Sequence, residues 1–455
     1  MSPERWSSRA GFIFAAMGSA IGLGSIWKFP YEVGTSGGGG FVVFYLLGLG
    51  LIVFPLMLVE FAIGRRGRSD AVGSIAAVAI ASRASRSWAA IGMVGVAGAV
   101  LILSFYSVIG GWAVAYVVDT VRDGLPGATA TAVQARYDAL LASPLRMAIY
   151  HTLFMTATVA VVARGIAGGI ERASLYLMPI LIVLVVGLAL YSVTHGDGLA
   201  ALRFLFAFDP SQLSPRAALE ALGLGFFSIG VGLAVMVTYA GYADPDFDLR
   251  TVAVVTILSD TAISCLAGLA VFPVVFAEGL DPSSGPGLMF VTLPLAFARI
   301  PLGTPAAIAF FVLLSLAALA SAMSLLEMPV ALCHRGLGWS RRRAALTAGA
   351  FCWALGLASV LSFNIWGNWH PLAWLPGLAT LTVFEALDHV TSNVLLPVCG
   401  LGLALFGGWV MPRRLLAAEL SLGPAATRAI VLLLRYVAPA AIVAASVVPI
   451  LLQRG

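Results

Sequence analysis

Between Arg9 and Gly40 the chain reads RAGFIFAAMGSAIGLGSIWKFPYEVGTSGGGG, apolar along most of its length yet carrying Gly18, Gly22 and Gly24 in its middle. A membrane span needs about 20 apolar residues, and glycine costs a helix interior roughly 1 kcal/mol relative to alanine. In lipid the freed N–H and C=O groups find no water, so irregular backbone at that depth survives only when buried in protein or lining a cavity. The sequence therefore predicts a helix that starts, opens near Gly22-Leu23-Gly24 and resumes toward Pro30. Such a break offers amide donors to an anion and carbonyl oxygens to a cation. It is a binding site.

The composition fits a membrane protein, with 60% hydrophobic and 10% charged residues against about 25% charged in soluble domains. Apolar runs give eleven expected spans, roughly 10–33, 40–64, 89–118, 145–163, 173–194, 217–243, 251–277, 305–333, 344–361, 384–410 and 430–452. Cationic side chains gather in alternate loops, led by Arg65, Arg66 and Arg68, then Arg341, Arg342 and Arg343. The positive-inside rule then places the N-terminus in the cytoplasm, and an odd span count places the C-terminus outside. No short apolar segment with a small-residue cleavage site precedes the first span, so no signal peptide is expected. The four cysteines are scattered and show neither metal spacing nor a disulfide framework. Nothing in the charge pattern calls for nucleic acid.

Span six repeats the opening theme. In LGLGFFSIGVGLAVMVTY, glycines at 223, 225, 230 and 232 interrupt a helical run. Any one glycine pair reads as small-residue helix packing. Two interrupted spans at the same ordinal position, five spans apart, point to a transporter's substrate site between inverted halves. The expected fold is thus all-α and polytopic, with eleven transmembrane helices. Two inverted five-helix repeats cover 1–194 and 195–411, spans one and six are broken at mid-membrane, and 412–455 holds span eleven. Loop 69–88 is amphipathic, 122–145 is polar and external with room for a short helix, and 279–305 reads as a re-entrant cap. Intramembrane ionisable groups are functional candidates by default, which marks Glu60, Asp260, Glu327 and Asp388. Ser321 and Ser324 face inward at helical spacing from Glu327.

WSSRAGFIFAAMGSAIGLGSIWKFPY, with GFFSIGVG in span six and LDHVTSN in span ten, resembles the neurotransmitter:sodium symporter family, and especially its eleven-span bacterial members that carry hydrophobic amino acids. The resemblance implies that the substrate carboxylate meets N–H groups near Leu23 and Gly24 and the Tyr106 hydroxyl. The ammonium would meet carbonyls of Ala20 and Phe227 beside Ser228. The side chain would lie among Ile102, Tyr106, Phe227, Leu233, Ser321 and Leu325, with space beside Gly230.

It further implies sodium as a co-substrate, one or two ions. The first would use the Ala20 carbonyl, Ser25, Ser228 and Asp260 with the substrate carboxylate. The second would use carbonyls of Gly18, Ile21 and Ala317 with the Ser321 hydroxyl. Ser25 and Asp260 stand where the family commonly has Asn, and Ala320 stands where it normally has Thr or Asp. One donor of the second site is therefore missing, which leaves two-sodium coupling open. Asp260 is expected to supply the negative charge that chloride supplies in animal relatives, so chloride is not expected to be required. Glu60 and Glu327 match family positions that mostly support the unwound helices. Lys28 and Asp388 match the outer gate. At the inner gate the usual partners are changed, and a swapped pair of Glu4 with Arg335 is expected.

The expected function is sodium-coupled symport of neutral, hydrophobic L-amino acids by alternating access in a bacterial-type plasma membrane. Alternatives are another small zwitterion with single-sodium or proton coupling, or an amino-acid sensor without transport. An intramembrane hydrolase would need a nucleophile beside a base, and His151, His195, His334, His370 and His389 are all expected at span ends or in loops. No enzyme is expected. The sequence gives no oligomeric state.

Overall fold

The computed structural model describes residues 4–127, 129–208, 214–281, 287–375 and 377–452, apart from the side chains of Phe227 and of residues 447–452. The described chain is helical with connecting turns. In order the helices are α1 (Arg9–Ala20), α2 (Gly24–Thr35), α3 (Gly39–Gly67), α4 (Ala71–Ala81), α5 (Arg86–Asp123), α6 (Ala130–Leu141), α7 (Pro144–Val162), α8 (Ile166–His195) and α9 (Gly198–Phe206). There follow α10 (Pro215–Ile229), α11 (Val235–Ala240), α12 (Leu249–Ala277), α13 (Leu288–Arg299), α14 (Gly303–Gly336), α15 (Arg341–Ser362), α16 (Val383–Val410), α17 (Arg413–Leu420) and α18 (Pro424–Ser446).

Among the described residues nine helices are long and apolar enough to cross a bilayer, and the pair α1–α2, bent by 49°, makes a tenth. The sixth expected span, 217–243, is divided into α10 and α11, each too short to count as a crossing alone. Helices α4, α6 and α13 form where the sequence left an amphipathic loop, a polar segment and a cap. Residues 282–286 of that cap, and Phe227's side chain, lie outside the described residues.

Local chemistry explains the element ends. Ser8 caps α1 by accepting from the Gly11 N–H, and Asp70 caps α4 by accepting from Val72 and Gly73. Each replaces an intrahelical partner that the first turn lacks. The broken segments lie at the centre of the bundle. Helix α1 packs on α8, α12 and α14, while α10 and α11 both pack on α3 and α14 runs along α5. Tight approach fixes the glycines here, since a Cβ on Gly24 would sit 2.8 Å from the Ser228 Cα. Outward faces such as Tyr176, Ile180, Val183 and Leu190 of α8 are apolar and exposed, as suits side chains that meet lipid.

Candidate functional site

The first break begins at Ile21, whose extended backbone (φ −79°, ψ 96°) ends α1. Its freed groups find partners on neighbouring helices. The Leu23 N–H donates to the Tyr106 hydroxyl of α5 at 3.1 Å. The Ser321 hydroxyl of α14 lies 3.3 Å from the Gly18 and Ser19 carbonyl oxygens and 3.4 Å from that of Ile21. A Cβ on Gly22 would run into that hydroxyl and come within 2.7 Å of the Tyr106 oxygen. Only glycine fits there.

The second break, 230–234, turns on left-handed residues: Gly230 (φ 66°), Gly232 (φ 93°) and Ala234 (φ 59°). Left-handed backbone costs an L-residue roughly 1–2 kcal/mol, so glycine serves at two positions and Ala234 needs outside support. Glu60 of α3 supplies it. Fully buried, its carboxylate accepts from the Gly232 N–H at 2.6 Å and the Met236 N–H at 3.0 Å. Sequence reasoning placed Glu60 as a support for an unwound helix, and its geometry is that of one.

Between the breaks is a cavity of about 50 Å³ lined by Leu23, Gly24, Ile102, Tyr106, Ser228, Gly230, Leu233, Ser321 and Leu325. All nine were expected from sequence. Gly22, Ser19, Ser324, Val235 and Leu396 also line it. Ser324 signalled itself by its spacing, whereas Val235 and Leu396 looked like ordinary core. Above it, a vestibule of about 350 Å³ shares Leu23 and Tyr106 with the cavity and includes Lys28 and Asp388 among its walls. The two expected outer-gate residues therefore face one space, with Asp388 accepting from the Ser392 hydroxyl at 3.0 Å.

Beside the cavity an oxygen cluster gathers on Asp260 of α12, which is fully buried. Ser25 donates to one carboxylate oxygen, and the Tyr45 hydroxyl donates to the other at 2.9 Å. The Ser25 hydroxyl also lies 3.2 Å from that of Ser228 and 3.5 Å from the Ala20 carbonyl. One carboxylate, two serine hydroxyls and a backbone carbonyl suit a hard monovalent cation. Among the described residues no group of three His, Cys, Asp or Glu side chains could hold a transition metal. Tyr45 was missed by sequence because a tyrosine in an apolar run reads as packing. Of the expected second cation set, the Gly18 and Ile21 carbonyls gather on the Ser321 hydroxyl and Ala317 is buried one turn earlier on α14, but the Ala320 methyl faces Gly18 where a further oxygen donor was expected.

The far end of α1 is sealed. Trp6 is buried, donates Nε1–H to the Tyr239 carbonyl at 2.9 Å, and packs on Phe12, Tyr239 and Tyr242. Here the expected Glu4–Arg335 pair needs correction. The Glu4 carboxylate pairs with Arg341 at 3.2 Å. Arg335 instead donates to the backbone carbonyls of Glu4 and Gly241, both at 3.3 Å, and lies over the Tyr242 ring. The reason is that Arg341 projects from the first turn of α15 between Glu4, the Val162 carbonyl and Glu327. Glu327, fully buried, also accepts from Tyr242 at 2.5 Å, so it belongs to this seal and not to a helix break.

Another expectation fails at His151. It lies buried within α7, with Nε2 3.1 Å from the Trp353 carbonyl, not at a span end. Among the described residues no serine or cysteine side chain is hydrogen-bonded to it.

Comparison with known proteins supplies the remaining context. Residues 3–140 and 141–371 match the sequence model of the sodium:neurotransmitter symporter family. A Bacillus subtilis (strain 168) protein named uncharacterized sodium-dependent transporter YhdH is 38% identical over 449 residues, covering 97% of this chain and 96% of the relative. A Haemophilus influenzae protein, also named an uncharacterized sodium-dependent transporter, is 31% identical over 415 residues, covering 90% and 89%. The crystal structure of MhsT in complex with L-phenylalanine matches with a TM-score of 0.88 and 43% identity, covering 97% of this chain and 98% of that one.

Proposed function

Because this chain belongs to the sodium:neurotransmitter symporter family, a family of membrane transporters and not of enzymes, we propose that it carries a neutral, hydrophobic L-amino acid inward with sodium by alternating access. One observation bears most of the weight. A single small cavity touches both helix breaks, and the Ser25–Asp260–Ser228 oxygen cluster adjoins it.

In this reading the substrate descends from the vestibule past Leu23 and Tyr106. Its carboxylate takes the Leu23 and Gly24 N–H groups at the start of α2, the positive end of a half-helix, displacing the Tyr106 hydroxyl, which then turns to donate. The ammonium sits toward the Ala20 and Phe227 carbonyls beside Ser228. The walls at Ile102, Leu233 and Leu325 are apolar, which favours an apolar side chain, and the similar MhsT structure is a complex with L-phenylalanine. The cavity holds about 50 Å³, while small-molecule pockets run to roughly 300 Å³ or more. The walls must therefore spread as substrate enters.

Sodium would join the substrate carboxylate to Ala20, Ser25, Ser228 and Asp260. In this reading the Asp260 carboxylate supplies the negative charge beside the sodium ion, so chloride is not required. On the same reading the sealed end, with Trp6, Glu4 and Arg341, is the cytoplasmic gate, with the N-terminus inside and the vestibule outside, as the positive-inside pattern of the loops supports. Spans one to five and six to ten are the two inverted repeats.

The test is uptake of radiolabelled leucine, tryptophan, alanine and glycine betaine into proteoliposomes, with and without an inward sodium gradient. Sodium-driven accumulation of a large apolar amino acid is expected. Exchange without sodium-driven accumulation would defeat the symport reading, and preference for glycine betaine would defeat the substrate reading.

A second reading, coupling to one sodium ion only, is favoured by the Ala320 methyl facing Gly18. Under it, Ala320→Thr should steepen the dependence of uptake on sodium concentration. An unchanged slope would argue against a missing donor.

A further inference from the structure

Residues 344–384 contain no Asp, Glu, Lys or Arg, although they include both the later part of α15 and the whole connection to α16. The connection is not a simple polar loop. It carries Trp366, Trp369 and Trp374 together with Ile365, and all four side chains are exposed, Ile365 by 69% and Trp374 by 74%. Trp366 and Trp369 pack edge to face at 5.2 Å. Exposed apolar surface of this extent marks a contact with a membrane or with protein.

The position of this connection favours the membrane. Helix α15 runs 22 residues, Arg341–Ser362, which at 1.5 Å per residue spans about 33 Å, close to the ~30 Å hydrocarbon core. Arg341–Arg343 hold its charged end, so Ser362 reaches the opposite hydrocarbon boundary. The turns that follow start at headgroup depth. Part of their backbone is paired within the turns, Trp366 N–H to Leu361, Trp369 N–H to Trp366, Ala373 N–H to His370 and Leu375 N–H to Leu372. Headgroups and interfacial water can satisfy the remaining amides at that depth.

A neighbouring segment on the same face shows the contrast. Asn364 donates to the Leu141 carbonyl at 2.9 Å, and the connection leading to Leu141 carries Arg122, Asp123, Arg136 and Asp138. That neighbour is built for water. The 363–375 turns are not.

We infer that the turns over 363–375 are an interfacial anchor that lays Ile365, Trp366, Trp369 and Trp374 into the headgroup layer of the bilayer beside the outer end of α15. Tryptophan is the side chain best suited to that layer, with an apolar body and one N–H donor. The anchor ends just before the Thr382–Glu385 capping box that starts α16. It therefore fixes, relative to the membrane plane, the helix that carries Phe384 and Asp388 into the vestibule wall.

The experiment labels the full chain with 5-fluorotryptophan in phosphatidylcholine nanodiscs, with Trp366→Phe, Trp369→Phe and Trp374→Phe assigning the three fluorine resonances. A nitroxide at carbon 5 of the lipid acyl chain should erase the Trp369 and Trp374 signals, while a gadolinium chelate in the water leaves most of their intensity. If gadolinium erases them and the lipid nitroxide does not, the segment stands in water and the inference is overturned. If neither reagent acts, protein covers the patch, a second copy of the chain being the first candidate, and the inference is equally overturned.

Discussion

Replacing Asp260 by Asn removes one negative charge from the oxygen cluster while keeping an oxygen in place. The size of the effect follows from what surrounds the carboxylate. A sodium ion about 4 Å from the centre of the charge, at an effective dielectric of ~20, is attracted by roughly 4 kcal/mol. Against this, the carboxylate in the sodium-free protein already accepts from Ser25 and from Tyr45 at 2.9 Å. When sodium takes the Ser25 oxygen, that hydroxyl must reorient, and a hydrogen bond to a charged group contributes about 1.5–3 kcal/mol. The remainder is about 2 kcal/mol, and at 1.4 kcal/mol per tenfold that is a rise of roughly 30-fold in the sodium concentration giving half-maximal uptake. The assay is initial-rate uptake in proteoliposomes across a sodium titration, with choline keeping ionic strength constant. The wild type should be indifferent to replacing chloride by gluconate, whereas Asp260→Asn should lose activity in gluconate. A shift in half-saturating sodium of less than about threefold would refute the placement of Asp260 at the cation. Chloride dependence in the wild type would refute its role as the fixed charge.

Other perturbations test the supports around the cavity. Glu60→Gln keeps an oxygen for one of the Gly232 and Met236 amides and turns an NH₂ toward the other. A buried unsatisfied amide costs about 1–3 kcal/mol, so the variant should unfold at a lower temperature in detergent, and an unchanged midpoint would argue against the clamp. Gly22→Ala puts a methyl into the Ser321 hydroxyl and 2.7 Å from the Tyr106 oxygen; equilibrium binding of the amino acid should be lost while size-exclusion behaviour stays normal. Glu4→Arg sets a second cation beside Arg341 and should impair transport strongly, whereas Arg335→Ala, which leaves the Glu4 carboxylate on Arg341, should impair it less; equal losses would argue against Arg341 as the partner of Glu4.

The two helix breaks were legible because glycine is a strong local signal and the membrane removes any innocent reading of it. Nine cavity residues followed from the resemblance to the symporter family, matched position by position once the two broken spans were recognised. The seal was not legible. Arg341 stands in a run of three arginines that reads as a topology signal, and its actual partners, Glu4, Val162 and Glu327, lie on three other elements. Arg335 was the nearer cation in sequence to the expected gate position, but pairing across more than 300 residues depends on how helix ends rotate. Tyr45 escaped for a related reason. Its hydroxyl is what matters, yet a tyrosine within FVVFYLLG is indistinguishable from packing until Asp260 is seen opposite it. His151 was misplaced at a span end although the expected span 145–163 already enclosed it; in α7 it is buried against the Trp353 carbonyl.

The clamp at Glu60 also constrains how the chain enters the membrane. Its amide partner Gly232 lies 172 residues later. At a synthesis rate of about 5–20 residues per second, α3 waits roughly 9–34 s before the partner has even left the ribosome. A lone carboxylate at bilayer depth is unfavourable by at least about 2.5–3.5 kcal/mol for that whole interval. Glu327 has no such wait, since Arg341 follows it by 14 residues and the two can enter as one hairpin. Early in biogenesis, then, α3 depends on shelter from the insertion machinery or on a proton, and the first half of the protein is complete only when the second half arrives to relieve it.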